Sequence, residues 1–498
     1  MSIRKNILAN YLGQGWTAVM GLAFVPIYVA YLGMEAYGLI GVFASLHAWL
    51  TILDMGFSPT INREMARFQA GGNSAQGIRN LLRSLEVIYA VVATIVILGV
   101  GAAASWFAET WLNVEKLPPT TVTDALVITG FVIASRMVEG LYKGALQGLQ
   151  LQVWLNGVNA ILSSIRWGGA ALVLALITPT IEAFFQWQMA ASLLAIFVFA
   201  LKVYRSLPSI AGHAAFRLES LQPVWRFSSG MAGIAFLKLF LTQIDKVLLT
   251  RMLSLENFGI YTLATVVGSA FSQMISPLAS AMFPRLTELI ERKKTDALRT
   301  TYHRACQLMS VLIIPPALTF IMYAKPALGL WMQDRAIATA VAPIAIPLVI
   351  GMIFNSFMNI PYMLQLAHGW TSLAMKINLF AAAFVVPALV VAINRYGALG
   401  AAYVWVMLNV GYFLIGIHFM HRRLLPEDKW RWYFEDIGVP LSAALMLGSL
   451  LWSLAPSMGS NWHVVVYLSG TCCLLWLVVG LSAKELRRDF LGWFGIDR

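Results

Sequence analysis

Charge and cysteine are both scarce in this chain of 498 residues. Asp, Glu, Lys and Arg together make up 12% of it, whereas a soluble globular protein carries about 25%. Because a water-soluble fold needs polar residues to cover its surface, this composition excludes a soluble enzyme, a disordered chain and a nucleic-acid-binding domain. The three cysteines, two of them adjacent, provide neither a metal-binding spacing nor a disulfide framework. The sequence also lacks a GxxxxGK(S/T) phosphate loop, so we do not expect direct ATP hydrolysis.

Apolar sequence, by contrast, is abundant. Hydrophobic residues account for 59% of the chain, and the mean hydropathy is +0.73. A helix crosses the hydrocarbon core of a membrane with about 20 residues, and apolar runs of that length recur throughout. They predict an all-α polytopic membrane protein with about 14 transmembrane helices. The approximate spans are 7–31, 37–57, 81–105, 124–147, 155–177, 182–204, 229–252, 259–283, 302–324, 341–366, 372–393, 398–420, 437–456 and 462–482.

The distribution of Lys and Arg orients these spans. With the N-terminus in the cytoplasm, 24 of the 35 Lys and Arg residues fall in inner segments and five in outer ones. This bias satisfies the positive-inside rule and predicts a multi-pass membrane protein with both termini cytoplasmic. It also accounts for the net charge of +12, so nucleic acid is not an expected partner. The first apolar run is too long for a signal-peptide core and is interpreted as an uncleaved span.

An internal repeat divides the chain. Residues 32–39 (LGMEAYGL) lie between spans 1 and 2, and residues 253–260 (LSLENFGI) lie between spans 7 and 8, at a constant offset of 221. Since spans 1 and 7 both run outward, the repeat predicts two parallel six-helix lobes related by a pseudo-two-fold axis along the membrane normal, with a central cavity. The expected domains are 1–210 (spans 1–6), 222–421 (spans 7–12) and 435–498 (spans 13 and 14 with a cytoplasmic tail).

Charged side chains inside the spans indicate a structural or functional role, because each one costs ~2.5–3.5 kcal/mol to insert at the centre of the bilayer. In span 4, Arg136, Glu139 and Lys143 fall on one helical face, and in span 5 Asn159 and Arg166 do the same. Two interpretations stay open for these stripes. They line an aqueous cavity, or they form a structural ladder of ion pairs between packed helices.

Span 7 adds Lys238, Asp245 and Lys246, and span 1 adds Asn10 and Gln14. Spans 4, 5 and 7 together hold five cations and two acids, which predicts a net-positive cavity. Such a cavity suits a pyrophosphate, because guanidinium and ammonium groups pair with phosphate oxygens, and it repels a cationic drug. We predict substrate binding by Arg136, Lys143, Arg166, Lys238 and Lys246, ion coupling by Glu139 and Asp245, and a polar cavity lining formed by Asn10, Gln14 and Asn159.

Three stretches of the sequence resemble a known family: NILANYLGQGWTAVMGLAFVPIYVAYLGMEAYGLIGVFASL, LDMGFSPTINREMARF and QIDKVLL…FGIYTLA. They are similar to polysaccharide (O-antigen type) flippases of the multidrug/oligosaccharidyl-lipid/polysaccharide exporter superfamily. The resemblance implies a cofactor-free transporter that moves an undecaprenyl-pyrophosphate-linked oligosaccharide to the periplasmic leaflet by alternating access, coupled to H⁺ or Na⁺. It implies a polysaccharide polymerase and chain-length proteins as partners, besides membrane lipids. Fourteen spans are typical of its lipid-linked-sugar branches, and twelve of its drug antiporters.

Two alternatives to a flippase remain at this point. One is a multidrug/cation antiporter of the same superfamily. The other is a membrane glycosyltransferase or ligase that acts on the same lipid carrier. An enzyme of that kind needs a sizeable outer loop with carboxylates, Arg or His, and the outer segments supply only scattered acids such as Glu109, Glu115 and Asp124. The sequence therefore predicts a transporter rather than an enzyme.

Overall fold

The structure is a computed structural model that describes residues 3–54, 56–209, 214–217, 222–456 and 460–487, without the side chains of residues 3–11 and 222–235. Within these ranges every regular element is helical, apart from an isolated bridge between Asn113 and Ser254. The chain divides into two compact units, Met1–Gly259 and Ile260–Arg498. The predicted all-α membrane fold is thereby confirmed.

The described residues of the first unit form eight α-helices and the start of a ninth. They are α1 (Ile3–Ala23), α2 (Val25–Leu50), α3 (Phe57–Gln69), α4 (Ala75–Trp106), α5 (Pro119–Gly148), α6 (Gln152–Leu176), α7 (Ile181–Ser206), α8 (Gln222–Met252) and α9 (Leu255–Glu291). Helix α5 packs against α3, α4, α6 and α7, and α6 packs against α1. The charged face of span 4 is therefore enclosed by other helices of its own unit.

The second unit contains, after the rest of α9, both helices of membrane-spanning length and shorter ones. They are α10 (Thr295–Met322), α11 (Ala324–Met332), α12 (Arg335–Phe357), α13 (Asn359–Ala367), α14 (Ser372–Gly411), α15 (Ile417–Leu424), α16 (Lys429–Arg431), α17 (Val439–Ser453) and α18 (Asn461–Ser482). A π-helical segment, Trp432–Gly438, joins α16 to α17. Helix α10 packs against α12, α17 and α18, so the two C-terminal spans are attached to the second unit through α10.

Among the described residues, eleven helical stretches are long and apolar enough to cross a membrane. Within the described ranges, each of the fourteen predicted spans lies mainly on helical segments. Gly33 and Gly397 leave helical φ/ψ and divide α2 and α14 where predicted spans 1 and 2, and 11 and 12, meet. Helices α1 and α8 are not among the eleven stretches, so the number fourteen stays a prediction.

The two copies of the repeated motif lie against each other within the first unit. A Cβ atom on Gly38 would stand 2.3 Å from the carbonyl oxygen of Leu255, and one on Gly259 would stand 2.4 Å from the carbonyl oxygen of Met34. The offset of 221 makes Gly38 equivalent to Gly259 and Met34 equivalent to Leu255. Such a reciprocal contact is the signature of two elements related by a two-fold axis. Glycine is required at both positions because the backbones approach too closely for any side chain.

The glutamates of the two motifs hold the segment before α5. Glu35 is buried, and its carboxylate accepts backbone N–H groups from Glu115, Lys116 and Leu117 at 2.6–3.1 Å. Its equivalent, Glu256, pairs with the Lys116 side chain and raises the pKa of that ammonium group. The same pair of equivalent residues thus fixes one short connection from two sides.

Candidate functional site

Glu139 lies at the centre of a buried group of charges in the first unit. One carboxylate oxygen, Oε1, lies 2.6 Å from Lys143 Nζ, one turn further along α5. The other, Oε2, accepts a hydrogen bond of 2.7 Å from Arg166 Nη2 of α6. The side chain of Glu139 is 5% exposed, that of Arg166 13% and that of Lys143 31%. Glu139 therefore ties α5 to α6 and has both oxygens engaged by cations.

Arg136, one turn before Glu139 on α5, extends the group toward two further helices. Its Nη2 donates to Oε1 of Gln188 on α7 at 3.1 Å. Its guanidinium carbon lies 4.9 Å from the ring centroid of Phe43 on α2, a cation–π distance. We call Arg136, Glu139, Lys143 and Arg166 the Glu139 cluster. Side chains from α2, α5, α6 and α7 meet there.

Several polar atoms around this cluster are buried and have no hydrogen-bond partner among the described residues. They are Nε of Arg136, Nε of Arg166, Nε2 of Gln188, Nδ1 of His47 and Oγ of Ser192. Buried polar groups in folded proteins are nearly always paired, so each exception needs an explanation. The three nitrogens of Arg136, Arg166 and Gln188 are all donors. An acceptor with several oxygens would satisfy such a set.

The charges of the Glu139 cluster do not balance. It holds three cations and one carboxylate, and the carboxylate pairs with two of the cations, which leaves an excess of positive charge among mostly buried groups. Uncompensated charge is expensive in such surroundings and attracts a counter-ion of opposite sign. The side chain of Lys143 is more exposed than those of Arg166 and Glu139. An anion that reaches the cluster would therefore meet Lys143 before Arg166.

The predicted charges of span 7 lie on α8. Lys238 is exposed, Lys246 donates to Gln243 of its own helix at 3.0 Å, and Asp245 is half-buried. Among the described residues, no ion pair joins Lys238 or Lys246 to the Glu139 cluster. A single site formed by all five predicted cations therefore stays a prediction, whereas three of the five do lie together with Glu139.

The predicted polar lining lies between α1 and α6. Asn159 Nδ2 donates to Thr17 Oγ1 at 3.3 Å, and the same hydroxyl lies 3.3 Å from Ser163 Oγ. Gln14 is exposed, and Asn10 lies outside the described side chains. The contacts of Asn159 and Thr17 are those of two packed helices, which was the alternative that the sequence left open.

Two residues of the site were missed from the sequence. Gln188 and Ser192 lie one turn apart on α7, and both are fully buried. A polar pair at helical spacing inside an apolar span was the signal that could have identified them. Neither residue carries a charge, so the pattern of intramembrane ions does not indicate them.

Comparisons with known proteins find similarity to membrane transporters and flippases. A protein of Shigella flexneri assigned as an O-antigen transporter is 19% identical over 408 residues, which cover 81% of this chain and 94% of that protein. The structure of the lipid II flippase MurJ in an inward closed conformation is similar with a TM-score of 0.71 and 12% identity, over 98% of this chain and 100% of that one. An inward-facing multidrug resistance MATE family transporter of the MOP superfamily gives 0.63 and 14%, over 85% and 95%.

At these identities the structural likenesses show the fold, and they confirm the predicted transporter architecture. The family comparison goes further. Residues 3–290 match the model of the family described as polysaccharide biosynthesis protein. The matched region includes both copies of the internal repeat and the whole Glu139 cluster. Because it spans more than half of the chain, the protein belongs to the polysaccharide biosynthesis protein family.

Proposed function

We propose that this protein is a flippase for an undecaprenyl-pyrophosphate-linked oligosaccharide, an O-antigen or exopolysaccharide repeat unit, in the bacterial inner membrane. Family membership and the similarity to an O-antigen transporter support the substrate class. The observation that carries the proposal is the Glu139 cluster, with three cations around one carboxylate and unpartnered donors beside it. Translocation proceeds by alternating access from the cytoplasmic to the periplasmic leaflet.

A pyrophosphate matches the cluster in charge and in hydrogen bonding. Guanidinium groups bind phosphate oxygens through charge-assisted bonds that are roughly twice as strong as neutral ones. Arg136 and Arg166 supply two such groups with unpartnered Nε donors, and Gln188 supplies a neutral donor. A cationic drug would instead meet like charge at this site. The proposal therefore favours the lipid-linked-sugar carrier over the drug/cation antiporter.

In this proposal Glu139 occupies the place of the substrate anion while the carrier is empty. When no pyrophosphate is bound, its two oxygens hold Lys143 and Arg166 at 2.6 and 2.7 Å. When pyrophosphate arrives, the same two cations turn to the phosphate oxygens. Without the carboxylate, three buried cations would repel one another in the empty carrier. Glu139 thus keeps the site assembled between transport cycles.

An ion-coupling role for Glu139 would make proton binding affect the affinity for pyrophosphate. Protonation of Glu139 would release Lys143 and Arg166 for the substrate, so proton and pyrophosphate would each strengthen the binding of the other. Antiport requires the opposite relation, because ion and substrate must occupy the carrier in turn. Glu139 alone therefore does not provide H⁺ antiport. Asp245, the other predicted coupling carboxylate, lies outside this cluster and remains a candidate.

The test is export of surface glycan in a strain that depends on this protein. Arg166→Gln and Arg136→Gln each remove charge-assisted hydrogen bonds worth about 1.5–3 kcal/mol, and we expect export to fall roughly tenfold to hundredfold. Lys202→Gln is the control, because Lys202 is also a helical cation, near the end of α7, but lies over the ring of Trp154, 5.3 Å from its centroid. Protein levels in the membrane are measured alongside.

Normal export by both arginine variants, at normal protein levels, would contradict the proposal. A different outcome would favour the drug/cation antiporter: expression lowers the sensitivity of cells to toxic cations, and deletion leaves the glycan intact. Accumulation of the lipid-linked repeat unit at the inner leaflet of the deletion strain would support translocation and would separate it from a defect in sugar transfer.

A further inference from the structure

A second group of buried charges, in the second unit, has no role in the function proposed so far. His303 of α10 lies between two aspartates, with its Nδ1 2.5 Å from Asp436 Oδ2 and its Nε2 3.2 Å from Asp428 Oδ1. Asp428 also pairs with Nε of Arg299 at 3.1 Å. We call Arg299, His303, Asp428 and Asp436 the His303 cluster. The side chains of His303 and Asp436 are 0% exposed, and that of Asp428 is 8% exposed.

The geometry of the His303 cluster requires one proton beyond those of a neutral imidazole. Each ring nitrogen faces a carboxylate oxygen, but a neutral imidazole carries a proton on one nitrogen only. Without an extra proton, one of the two contacts would oppose a lone pair to a lone pair at a fully buried position. With it, both contacts are hydrogen bonds, whether the proton is on His303 or is shared with Asp436.

The same proton also balances the charge. Arg299 and a protonated His303 contribute two positive charges, and Asp428 and Asp436 contribute two negative ones. Loss of the proton would leave a net negative charge inside the helix packing, where uncompensated charge is costly. The cluster is therefore neutral in its protonated form and carries one negative charge in its deprotonated form.

Two further acids, Glu427 and Asp296, face Arg299, but both are exposed and screened by water. The other groups that face the cluster leave the balance of its buried charges unchanged. From α10 these are Tyr302 and Cys306, and from α15 it is His421, whose Nε2 lies 3.1 Å from the Tyr302 hydroxyl. Arg431 of α16 also faces Asp436, but it is paired with Glu435 at 3.3 Å and with Glu485 at 2.8 Å. Lys429 faces His421 and donates toward His418.

A series of polar contacts, two hydrogen bonds and one ion pair, connects the buried imidazole to the surface. Glu427 is 75% exposed and accepts a hydrogen bond of 2.7 Å from Arg299, which is 33% exposed. Arg299 contacts Asp428, and Asp428 contacts His303. Exposure thus falls step by step from Glu427 to His303. Asp428, which is 8% exposed and lies against Nε2 of His303, is the carboxylate through which we expect the imidazole to exchange a proton with solvent.

The protonation state of the cluster is linked to the packing of three elements. Asp436 accepts from Gln307 Nε2 at 2.9 Å, and its backbone carbonyl accepts from Ser310 Oγ at 2.7 Å. Gln307 in turn accepts the backbone N–H of Glu485, beyond the end of α18, at 2.8 Å. Asp436 lies in the π-helical segment Trp432–Gly438, and π-helical turns inside α-helices are frequent at functional sites. A change of charge here would be felt by α10, by this segment and by the chain after α18.

We propose that the His303 cluster is a proton-binding site and that it takes up the coupling ion of the transport cycle. The coupling role rests on the proposed function, whereas proton binding rests on the cluster itself. Separated from the Glu139 cluster in sequence and in structural unit, it can release a proton without freeing the cations that would bind pyrophosphate. A proton bound there would not strengthen pyrophosphate binding in the way that protonation of Glu139 would, and it is therefore compatible with antiport.

The first experiment measures proton binding without any substrate. Purified protein in lipid nanodiscs is titrated between about pH 5 and pH 9, a range above the ordinary pKa of exposed carboxyl groups. We expect the wild type to bind about one proton more per chain than Asp436→Asn, because loss of that carboxylate leaves Arg299 and Asp428 balanced with a neutral imidazole. Glu435→Gln is the control, since this neighbouring residue is 39% exposed and lies outside the cluster.

Equal proton binding by folded wild-type and Asp436→Asn proteins would overturn the proposal and leave the cluster with a structural role. Where Asp436→Asn does not fold, His303→Gln and Asp436→Glu take its place: the first should lose the proton and the second should keep it. If all three fail to fold, ¹⁵N spectra of histidine-labelled wild type decide, because a neutral ring for every buried histidine across the titration also overturns the proposal.

The second experiment adds transport. A protonophore should slow glycan export by the wild type and by Glu435→Gln, whereas export by Asp436→Asn should be slow and insensitive to it. If Asp436 governs proton binding but export by Asp436→Asn matches the wild type and responds equally to the protonophore, the coupling role is wrong. If the deletion strain exports glycan normally, the proposed function fails while the proton titration still tests the site on its own.

Discussion

The two buried charge clusters of this protein, one in each structural unit, differ in how their charges are compensated. In the Glu139 cluster two cations share one carboxylate and a third, Arg136, bonds to the neutral Gln188. Donors of Arg136, Arg166 and Gln188 have no partner among the described residues. In the His303 cluster two cationic groups face two carboxylates, provided that the imidazole carries its second proton. The first cluster lacks an anion, whereas the second requires a proton.

This difference separates two tasks that are often assigned to one set of intramembrane charges. Unmet donors and excess positive charge favour a polyanionic substrate group, and partial exposure of Lys143 allows one to enter. A charge-balanced and fully buried imidazole favours the smallest possible ligand, a proton. Intramembrane ionisable residues are functional candidates by default, and the local charge balance indicates which ligand each group would take.

The largest effect on this comparison is expected from Glu139→Gln. The substitution leaves Lys143 and Arg166 without their anion, and breaking a buried ion pair in this way costs roughly 3–5 kcal/mol of stability. Inorganic pyrophosphate should restore part of that loss, because it supplies the missing negative charge. Thermal unfolding of the purified variant, with and without pyrophosphate, measures both effects. Glu109→Gln, at an exposed glutamate, is the control. It should neither lower the unfolding temperature nor make it depend on pyrophosphate.

A Glu139→Gln protein that is as stable as the wild type, and indifferent to pyrophosphate, would remove the distinction between the clusters. The charge excess would then have no energetic consequence. Stabilisation by pyrophosphate but not by sulfate at equal ionic strength would sharpen the distinction, since it would show selection for the diphosphate group rather than for negative charge in general.

A smaller effect is expected from Gln188→Glu, which adds an anion at almost the same shape. Gln188 accepts from Arg136 at 3.1 Å, and its amide nitrogen is buried without a partner. A carboxylate here would make the Glu139 cluster resemble the balanced His303 cluster. We expect the empty carrier to gain about 1 kcal/mol of stability from the charge-assisted bond to Arg136 and pyrophosphate to bind roughly tenfold more weakly.

Gln186→Glu is the matched control for that substitution. Gln186 lies two residues earlier on α7 and is exposed, so the same change of charge occurs away from Arg136. Calorimetric titration with pyrophosphate compares the two variants directly. Unchanged affinity in Gln188→Glu would mean that pyrophosphate does not use Arg136, and the anion site would contract to Lys143 and Arg166.

The sequence was sufficient to find the Glu139 cluster but not the His303 cluster. Arg136, Glu139 and Lys143 recur at helical spacing inside one apolar span, so their shared face follows from the period of the helix. His303 and Asp436 are 133 residues apart, and each lies near the end of a different span. Nothing in the local pattern of either segment indicates that these two side chains meet, because their pairing depends on how α10 packs against the C-terminal helices.

The fold was predictable to a similar extent. Apolar runs located the spans. The constant offset of 221 identified two equivalent motifs, and their equivalent glycines, Gly38 and Gly259, make reciprocal contacts. The attachment of α17 and α18 to α10 was not predictable, since lipid-facing and packed helices have equally apolar sequences. Packing between such helices is decided by polar contacts like those of Gln307 and Ser310 with Asp436.

The smallest effect concerns Asn159, for which the sequence predicted a place in the cavity lining. Asn159→Ala removes one hydrogen bond of 3.3 Å to Thr17 between α6 and α1, and interhelical bonds of this kind contribute about 0.6 kcal/mol on average. We expect a slightly lower unfolding temperature and unchanged glycan export. Asn156→Ala is the comparison on the same helix, because Asn156 donates to the Gln152 carbonyl within α6. If export fell several-fold in Asn159→Ala at unchanged stability, Asn159 would lie on the substrate path, and the functional site would extend from the Glu139 cluster along α6 toward α1.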